Sequence, residues 1–326
     1  MNLKRRFGSL TALVLLIFGC SFVWLQQNAI GDWFVLREYQ PSATISQLAT
    51  DVGMTGSARH YLYVNRPGIE EASAFNKHCT NEREQTVVLG CYLGNRQGIY
   101  LFNVQTPELH GVMQVTAAHE MLHQAYDRLS AGQRKHINDL LQNVAQTITD
   151  PSLLEQINAY KQSEPDAVSN ELHSLLGTQV AHLPNELETY YKQYFTDRSK
   201  VVTYYDGYQA AFRTRQEQIK TYDKELSAQK ADIESREKDL ESQVAGLNQK
   251  RQRMDAERQA GNTELYNQEV PVYNALVDTY NTGLSKLKSV ITSYNELVKK
   301  RNAIVLQEQQ LQQDLSSKQL PSLSGQ

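Results

Sequence analysis

Apolar residues recur at intervals of seven through the C-terminal part of the chain, where Gly and Pro are scarce. Before the turn signal at Gly261 and Asn262 there is one such row, formed by Ile219, Leu226, Ile233, Leu240, Leu247 and Met254. After Pro271 there are two rows, offset by four residues, formed by Tyr273, Tyr280, Leu287 and Tyr294 and by Val277, Leu284, Ile291, Val298 and Val305. Heptad spacing on both sides of a turn predicts an antiparallel coiled-coil hairpin over residues 206–318, followed by a disordered tail over residues 319–326.

No metal-binding or nucleophile motif lies within this hairpin, so we expect it to act as a spacer or stalk. The heptads leave two further roles open, which are self-association into a larger bundle and recruitment of a partner protein. In each case we expect the residues that carry the chemistry to lie N-terminal to the hairpin.

An uncharged stretch covers residue 7 to about residue 25, directly after the basic residues Lys4, Arg5 and Arg6. Such a stretch is long enough to span a bilayer as a helix, and it lacks the small-residue site at which a signal peptide is cleaved. The basic residues before it favour a cytoplasmic N-terminus. We therefore predict that residues 1–31 form a basic stub and one transmembrane helix. This makes the protein a single-pass protein of the cell membrane, with its C-terminal bulk outside the cytoplasm.

From residue 32 to about residue 205 the pattern is that of short, mixed elements. Residues 46–52 and 69–76 are helix candidates. Residues 61–64, 86–89 and 99–104 are strand candidates, because they are rich in β-branched and aromatic side chains. We expect residues 32–205 to form one mixed α/β domain.

The chain contains three cysteines. Cys79 and Cys91 lie on either side of a polar loop, and export from the cytoplasm favours a disulfide between them over two buried thiols. Cys20 follows Phe18-Gly19, which makes a weak lipoprotein cleavage box because Phe18 is large. We interpret Cys20 as an ordinary residue of the predicted membrane helix, with lipidation as the alternative.

The stretch from residue 115 to residue 126 is apolar on most sides and has one formally charged residue, Glu120. It contains the HExxH sequence His119-Glu120-Met121-Leu122-His123. On a helix the two imidazoles leave the same face about one turn apart, which is the spacing that two ligands of one Zn²⁺ require. A buried carboxylate beside them needs a partner, and a metal centre supplies one. The alternative is a solvated helix with two surface histidines.

A catalytic zinc requires a third protein ligand and an open position. The downstream candidates are Asp127, Glu155, Glu164, Glu171, His173, His182, Glu186 and Glu188. Glu171 stands out among them, because it belongs to the helix candidate Asn170-Glu171-Leu172-His173-Ser174. His173 and Glu186 are the next candidates.

The pattern His119-Glu120-x-x-His123 followed by Asn170-Glu171-x-x-Ser174 resembles the ligand pattern of the gluzincins, the thermolysin-like zinc metallopeptidases. The resemblance covers about residues 115–176. It implies a zincin-like fold and a single Zn²⁺ held by the two histidines and Glu171. It also implies that Glu120 is the general base.

Asp127, four residues beyond His123, matches the same family pattern. The second gluzincin helix usually carries an Asp four residues after the ligand Glu, where this chain has Leu175. A zinc-bound histidine normally needs such an acceptor on its other ring nitrogen. Asp127 is therefore the candidate for this orienting role, and the alternatives are a backbone carbonyl and the absence of any such acceptor.

The resemblance implies hydrolysis of peptide bonds in a protein or peptide substrate by a zinc-activated water, from which Glu120 takes the proton. The oxyanion that forms needs a second donor. The candidates for this donor are His173, Tyr190, Tyr191 and Tyr194, although core packing is the expected role of most of these tyrosines. A strand at residues 98–104, if it lies at the edge of a sheet, would bind an extended substrate as an added strand.

The alternative function is that of a non-catalytic envelope scaffold, in which the coiled coil does the work and the zinc site is degenerate or structural. A weaker alternative is metal-dependent hydrolysis of a non-peptide bond, such as a cell-wall amide. The net charge of −3, with 21% charged residues, gives no indication of nucleic-acid binding. The fold class expected is an α+β zincin-like domain followed by a long all-α antiparallel coiled-coil hairpin, with a single N-terminal transmembrane helix.

Overall fold

The structure, a computed structural model, describes residues 26–79 and 88–317. The described residues divide into two compact units, one formed by residues 26–79, 88–210 and 312–317 and the other by residues 211–311. The predicted membrane segment at residues 7–25, the first half of the strand candidate at 86–89 and the predicted tail at 319–326 lie outside the described residues.

Helices dominate the described chain. In chain order they are α1 (residues 26–38), α2 (Ala43–Asp51), α3 (Gly56–Tyr63), α4 (Ala72–His78), α5 (Val112–Asp127), α6 (Ala131–Ala145), α7 (Pro151–Ser163), α8 (Val168–Gln179), α9 (Asn185–Tyr191), α10 (Ser199–Gln259) and α11 (Thr263–Asp314). The strands are β1 (Gly68–Glu70), β2 (Gly90–Tyr92) and β3 (Ile99–Phe102), and a 3₁₀ helix covers Pro107–Leu109.

The three strands form one small sheet in the order β1-β3-β2. β3 lies in the middle, parallel to β1 and antiparallel to β2. The strand predicted from residue 99 is thereby confirmed, and Ile99 and Leu101 are fully buried. The condition for pairing a substrate with this strand, a position at the sheet edge, is not met, because β3 is paired on both sides. Of the two outer strands that the structure describes, β2 is the one that approaches α5.

The helix that carries the HExxH sequence starts at a glycine that no other residue could replace without strain. Gly111 precedes α5 with a φ of 110°, a left-handed conformation that favours glycine. A Cβ atom at this position would lie 2.7 Å from the carbonyl oxygen of Tyr204. The next helix starts with a capping box, in which Ser130 and Gln133 each bond the backbone of the other.

The strand candidate at residues 61–64 proved to be the last turn of α3, which ends at Tyr63, and its C-cap Val64. Their aromatic and β-branched side chains favour strands, but two features favour a helix. Thr55 caps the helix by accepting a hydrogen bond from the backbone of Ala58, and Ala58 and Leu62 are buried on one face four residues apart. Tertiary burial of this face outweighs the local strand propensity.

The expected α+β zincin-like fold class was wrong. The described residues are mainly helical, and the sheet has three strands of only three or four residues each. Such short strands expose few backbone groups for pairing, so helix packing rather than sheet packing builds the core.

Among residues 26–79 and 88–317, no helix is both long and apolar enough to cross a lipid bilayer. The predicted transmembrane helix and the predicted single-pass membrane location are corrected accordingly. The expectation rested on residues 7–25, which are not among those described.

The second unit, residues 211–311, consists of parts of the two longest helices. They run antiparallel, because Arg301 donates to Asp223 at 3.0 Å while Lys250 lies 3.2 Å from Glu269. The buried side chains of this unit include Leu240, Met254 and Leu287, which belong to the predicted heptad rows, and Leu297, which does not. α10 begins at Ser199, seven residues before the predicted boundary at residue 206.

Candidate metal centre

Helix α5 is buried on nearly all sides, which excludes the solvated-helix interpretation of its HExxH sequence. Glu120 and His123 are buried, and the side chain of His119 is 14% exposed. Ligand-type atoms of these three residues all lie within 4.8 Å of one another. The expected clustering of the HExxH side chains is therefore confirmed.

Helix α8 packs against α5 and brings Glu171 to this cluster. The two helices approach closely at Gly177, where a Cβ atom would lie 2.6 Å from Cδ1 of Leu122 and 2.8 Å from Cε1 of Tyr191. Glu171 lies in the first turn of α8. Residues that are 48 or more positions apart in sequence are thus assembled by one helix–helix contact.

The carboxylate of Glu171 lies between the two imidazoles. Its Oε2 atom is 3.5 Å from Nε2 of His119, and its Oε1 atom is 3.5 Å from Nε2 of His123. Ligand atoms that share a tetrahedral Zn²⁺ at about 2.0–2.1 Å lie about 3.3 Å apart. The two distances from Glu171 to the imidazoles therefore fit a shared zinc ion with little adjustment.

Two further properties of Glu171 fit a metal ligand. Its Oε2 atom is buried and makes no hydrogen bond, which is costly unless a cation binds there. Burial works to raise the pKa of Glu171, but His123, His119 and a hydrogen bond from Tyr160 outweigh it and lower the pKa. The carboxylate is therefore ionised, as a zinc ligand must be.

A neighbour of Glu171 orients His123. Nδ1 of His123 lies 3.1 Å from Oδ1 of Asn170 and 3.4 Å from Oγ of Ser174. Because Oδ1 can only accept, Nδ1 is the donor in this contact, and Nε2 is the nitrogen that faces Glu171. The Asn and Ser of the Asn-Glu-x-x-Ser motif thus replace the acidic residue that is absent at Leu175.

The structure places Asp127 away from this orienting role. Its Oδ2 atom lies 3.0 Å from the hydroxyl of Tyr92, which is also 2.6 Å from the side-chain amide of Gln124. The Tyr92 ring lies parallel to the His123 imidazole, with the ring centroids 6.4 Å apart. Asp127 therefore ties β2 to the last turn of α5.

The other end of β2 reaches the predicted general base. A Cβ atom at Gly90 would lie 2.8 Å from Oε1 of Glu120 and 2.5 Å from Cγ2 of Thr116. Only glycine allows the strand to approach this closely. The backbone of β2 therefore forms one wall of the site beside Glu120.

The four candidate oxyanion donors form a network in the core of the first unit. Nε2 of His173 lies 2.8 Å from the hydroxyl of Tyr190, which is 3.2 Å from that of Tyr194. Tyr191 donates to the backbone oxygen of His173 at 2.6 Å. Burial, together with the nearby His123 and His119, lowers the pKa of His173 to about 3, so its imidazole is neutral. The network packs in the core beside His119 and His123.

The remaining alternative for the third ligand lies elsewhere. Glu186 is 60% exposed and pairs with His136 at 3.1 Å. Tyr160, which bonds Glu171, was not found by sequence reasoning, because an isolated Tyr on α7 carries no motif. Asn170 was within the motif, but its role required knowledge of the α5–α8 contact.

The predicted disulfide between Cys79 and Cys91 is confirmed. Cys79 directly follows α4, and Cys91 is the middle residue of β2. A disulfide is compatible with an extracellular location. It joins the strand beside the candidate metal centre to the helix that packs on the far side of the sheet.

Known proteins offer no guide to what this site does. The chain matches no family model, and no curated protein or solved structure is significantly similar to it. Its function must be inferred from the site itself, which combines two imidazoles, one of them oriented by Asn170, with the carboxylates of Glu171 and Glu120.

Proposed function

We propose that the protein is a zinc-dependent metallopeptidase. The observation that carries the proposal is the position of Glu171, whose two oxygens each lie 3.5 Å from Nε2 of a histidine of the HExxH sequence. His119, His123 and Glu171 would hold one Zn²⁺, which is the ligand set of gluzincin-type peptidases that the sequence resembles.

Zinc supplies Lewis acidity, which lowers the pKa of water and polarises a substrate carbonyl. The residues of this chain supply the rest. Glu120 takes the proton of the attacking water and passes it to the leaving amine. Asn170 holds the His123 ring in the tautomer that leaves Nε2 unprotonated. Tight packing of α5 and β2 around Glu120 limits the access of bulk water to the carboxylate.

An extended peptide is the substrate that the edge of the sheet fits best. Phe102 N–H donates to Leu89, and Leu93 N–H donates to Gly98, so alternate residues of β2 bond to β3. By this alternation, the N–H and C=O groups of Gly90 and Tyr92 point away from β3, towards the side of β2 on which no described strand pairs. A peptide paired with this edge would pass beside Glu120.

The proposal is tested by separating metal binding from hydrolysis. We expect the protein to cleave an unfolded protein such as casein, and a zinc chelator to abolish the cleavage reversibly. Glu120→Gln should keep about one zinc per chain and lose at least about 100-fold in kcat/KM, because the proton acceptor is removed. The exposed Glu155 provides the matched control, since Glu155→Gln should retain full activity.

His119→Ala should lose both zinc and activity, whereas the exposed control His182→Ala should lose neither. Full activity of Glu120→Gln would refute the mechanism. Loss of zinc in Glu120→Gln would instead make Glu120 a fourth ligand, which is the composition of a structural site. Cleavage of peptidoglycan amides but not of casein would assign the site to a non-peptide substrate.

A further inference from the structure

The strand β2 touches both functional parts of the candidate centre. At one end the backbone of Gly90 abuts the carboxylate of Glu120. At the other end the ring of Tyr92 lies parallel to that of His123. Between them lies Cys91, which is covalently bonded to Cys79. A displacement of this strand would therefore first change the position of Glu120 and of any substrate paired with the sheet edge.

The disulfide anchors β2 to a rigid part of the first unit. Cys79 ends α4, and Phe75 of this helix is buried and packs on Phe102 of β3, with the ring centroids 5.7 Å apart. β2 itself is three residues long, and each of them is only half-buried. A strand this short has few backbone hydrogen bonds, so a covalent link contributes much of its restraint.

The two ends of β2 differ in what holds them. The Tyr92 end is tied to α5 by contacts with Gln124 and Asp127. The Gly90 end is held by the hydrogen bond from Phe102 to Leu89 and by the disulfide at Cys91. The metal ligands lie on α5 and α8, which pack directly on each other and include no residue of β2. Loosening of β2 would thus affect Glu120 before it affected the ligands.

We propose that the Cys79–Cys91 disulfide is a positioning device for the metal centre, which makes hydrolysis, but not zinc binding, depend on the oxidised pair. The inference rests on the proposed peptidase function. Reduction by a dithiol breaks the S–S bond and adds two electrons and two protons, giving two cysteine thiols and one oxidised dithiol. The protein would then be active in an oxidising compartment and impaired in a reducing one.

The first experiment compares the full-length wild-type protein with Cys79→Ala/Cys91→Ala, loaded with zinc and assayed on casein. We expect zinc to stay near one per chain while kcat/KM falls by about 10- to 100-fold, since a small misplacement of a reacting group has effects of this size. Cys20→Ala is the control for removal of a cysteine outside the pair and should be unchanged. A phosphine reductant should inhibit the wild-type protein reversibly and leave the double variant unaffected.

A second readout is independent of activity. Hydrogen exchange of the amides at residues 88–93 should become at least about tenfold faster in the double variant, while residues 115–125 of α5 stay protected. If the wild-type protein shows no hydrolysis, the proposed function fails, and the exchange rates alone decide whether the disulfide holds β2. Unchanged exchange at residues 88–93 overturns the inference in either case.

A third variant moves β2 without touching the disulfide. In Gly90→Ala the added methyl group collides with Thr116 and Glu120, so kcat should fall while zinc is retained. Gly132→Ala is the matched control, because a Cβ atom there has nothing within 4 Å. The positioning role would be overturned if Cys79→Ala/Cys91→Ala had the kcat/KM of the wild-type protein. It would also be overturned if a variant lost zinc together with activity.

Discussion

Asn170 and Glu171 are adjacent in the chain and serve different nitrogen atoms of the same histidine. Glu171 faces Nε2 of His123 at 3.5 Å, and Asn170 lies 3.1 Å from Nδ1. A neutral amide is a weaker hydrogen-bond acceptor than a carboxylate, so Asn170 orients the imidazole through a weaker hydrogen bond than an Asp would form. Leu175, at the position where the gluzincin pattern has an Asp, is buried and packs in the core.

Removal of the Asn170 side chain should therefore weaken zinc binding rather than fold stability. We expect Asn170→Ala to raise the Kd for zinc by about 10- to 100-fold, the range found for loss of an orienting partner. Asn170→Asp should bind zinc at least as tightly as the wild-type protein, because a carboxylate is a stronger acceptor. Competition with a chromogenic chelator measures both values. The exposed Asn143 supplies the control Asn143→Ala, and equal affinities for all of these proteins would contradict the assigned role.

At the scale of elements, the candidate metal centre depends on how closely α8 lies against α5. Gly177 allows this approach, because Leu122 and Tyr191 fill the space where its Cβ atom would be. The far end of α8 is fixed by Arg198, which donates to the carbonyl oxygens of Val180 at 2.6 Å and Ala181 at 3.0 Å and pairs with Glu188. These contacts hold Glu171 within reach of both histidines.

Gly177→Ala should push the two helices apart. Leu122 and Tyr191 are fully buried and have little room to move, so we expect a loss of about 1–3 kcal/mol in the free energy of unfolding. Zinc affinity should fall with it, because Glu171 moves away from α5. Urea unfolding and zinc titration test both effects. Gly132→Ala, on the open side of α6, should be neutral or stabilising by up to about 1 kcal/mol.

At the scale of the whole molecule, Asp32 joins separate segments of the first unit. It accepts hydrogen bonds from Arg96 at 2.7 Å and Arg128 at 2.8 Å, and it lies 2.9 Å from Nε2 of His60. Its side chain is only 5% exposed. Burial works to raise the pKa of Asp32, but the hydrogen bonds from Arg96, His60 and Arg128 outweigh it and lower the pKa. The contacts connect α1, the turn after β2, α3 and the end of α5.

A lowered pKa in the folded state means that this carboxylate stabilises the protein above its unfolded pKa, near 4. The stabilisation is lost as the pH falls through the lower folded value. Asp32→Asn should therefore destabilise the protein by about 3–5 kcal/mol at pH 7, and the difference from the wild-type protein should shrink below about pH 4. Urea unfolding at several pH values measures this. The exposed Asp166 provides the control Asp166→Asn, and a pH-independent difference for Asp32→Asn would refute the linkage.

Sequence reasoning worked best where the relevant contacts are local. The spacing of His119 and His123 follows from one helical turn, and the heptad rows follow from the period of a helix. It failed where short segments depend on distant partners. Residues 61–64 are helical because Ala58 and Leu62 face the core, and the strand at 99–102 is central because β1 and β2 flank it. A strand of three or four residues has too few alternating apolar and polar positions to predict which strands pair with it.

The sequence by itself determined the parts of the site that lie within one helix. It also determined the pairing of Cys79 with Cys91. Tertiary structure alone decided that Asn170 and not Asp127 orients His123, that His173 is buried with the tyrosines, and that β2 forms the wall beside Glu120. The physical reason is distance along the chain. A helix places neighbours by its own geometry, whereas residues from different elements meet only when those elements pack.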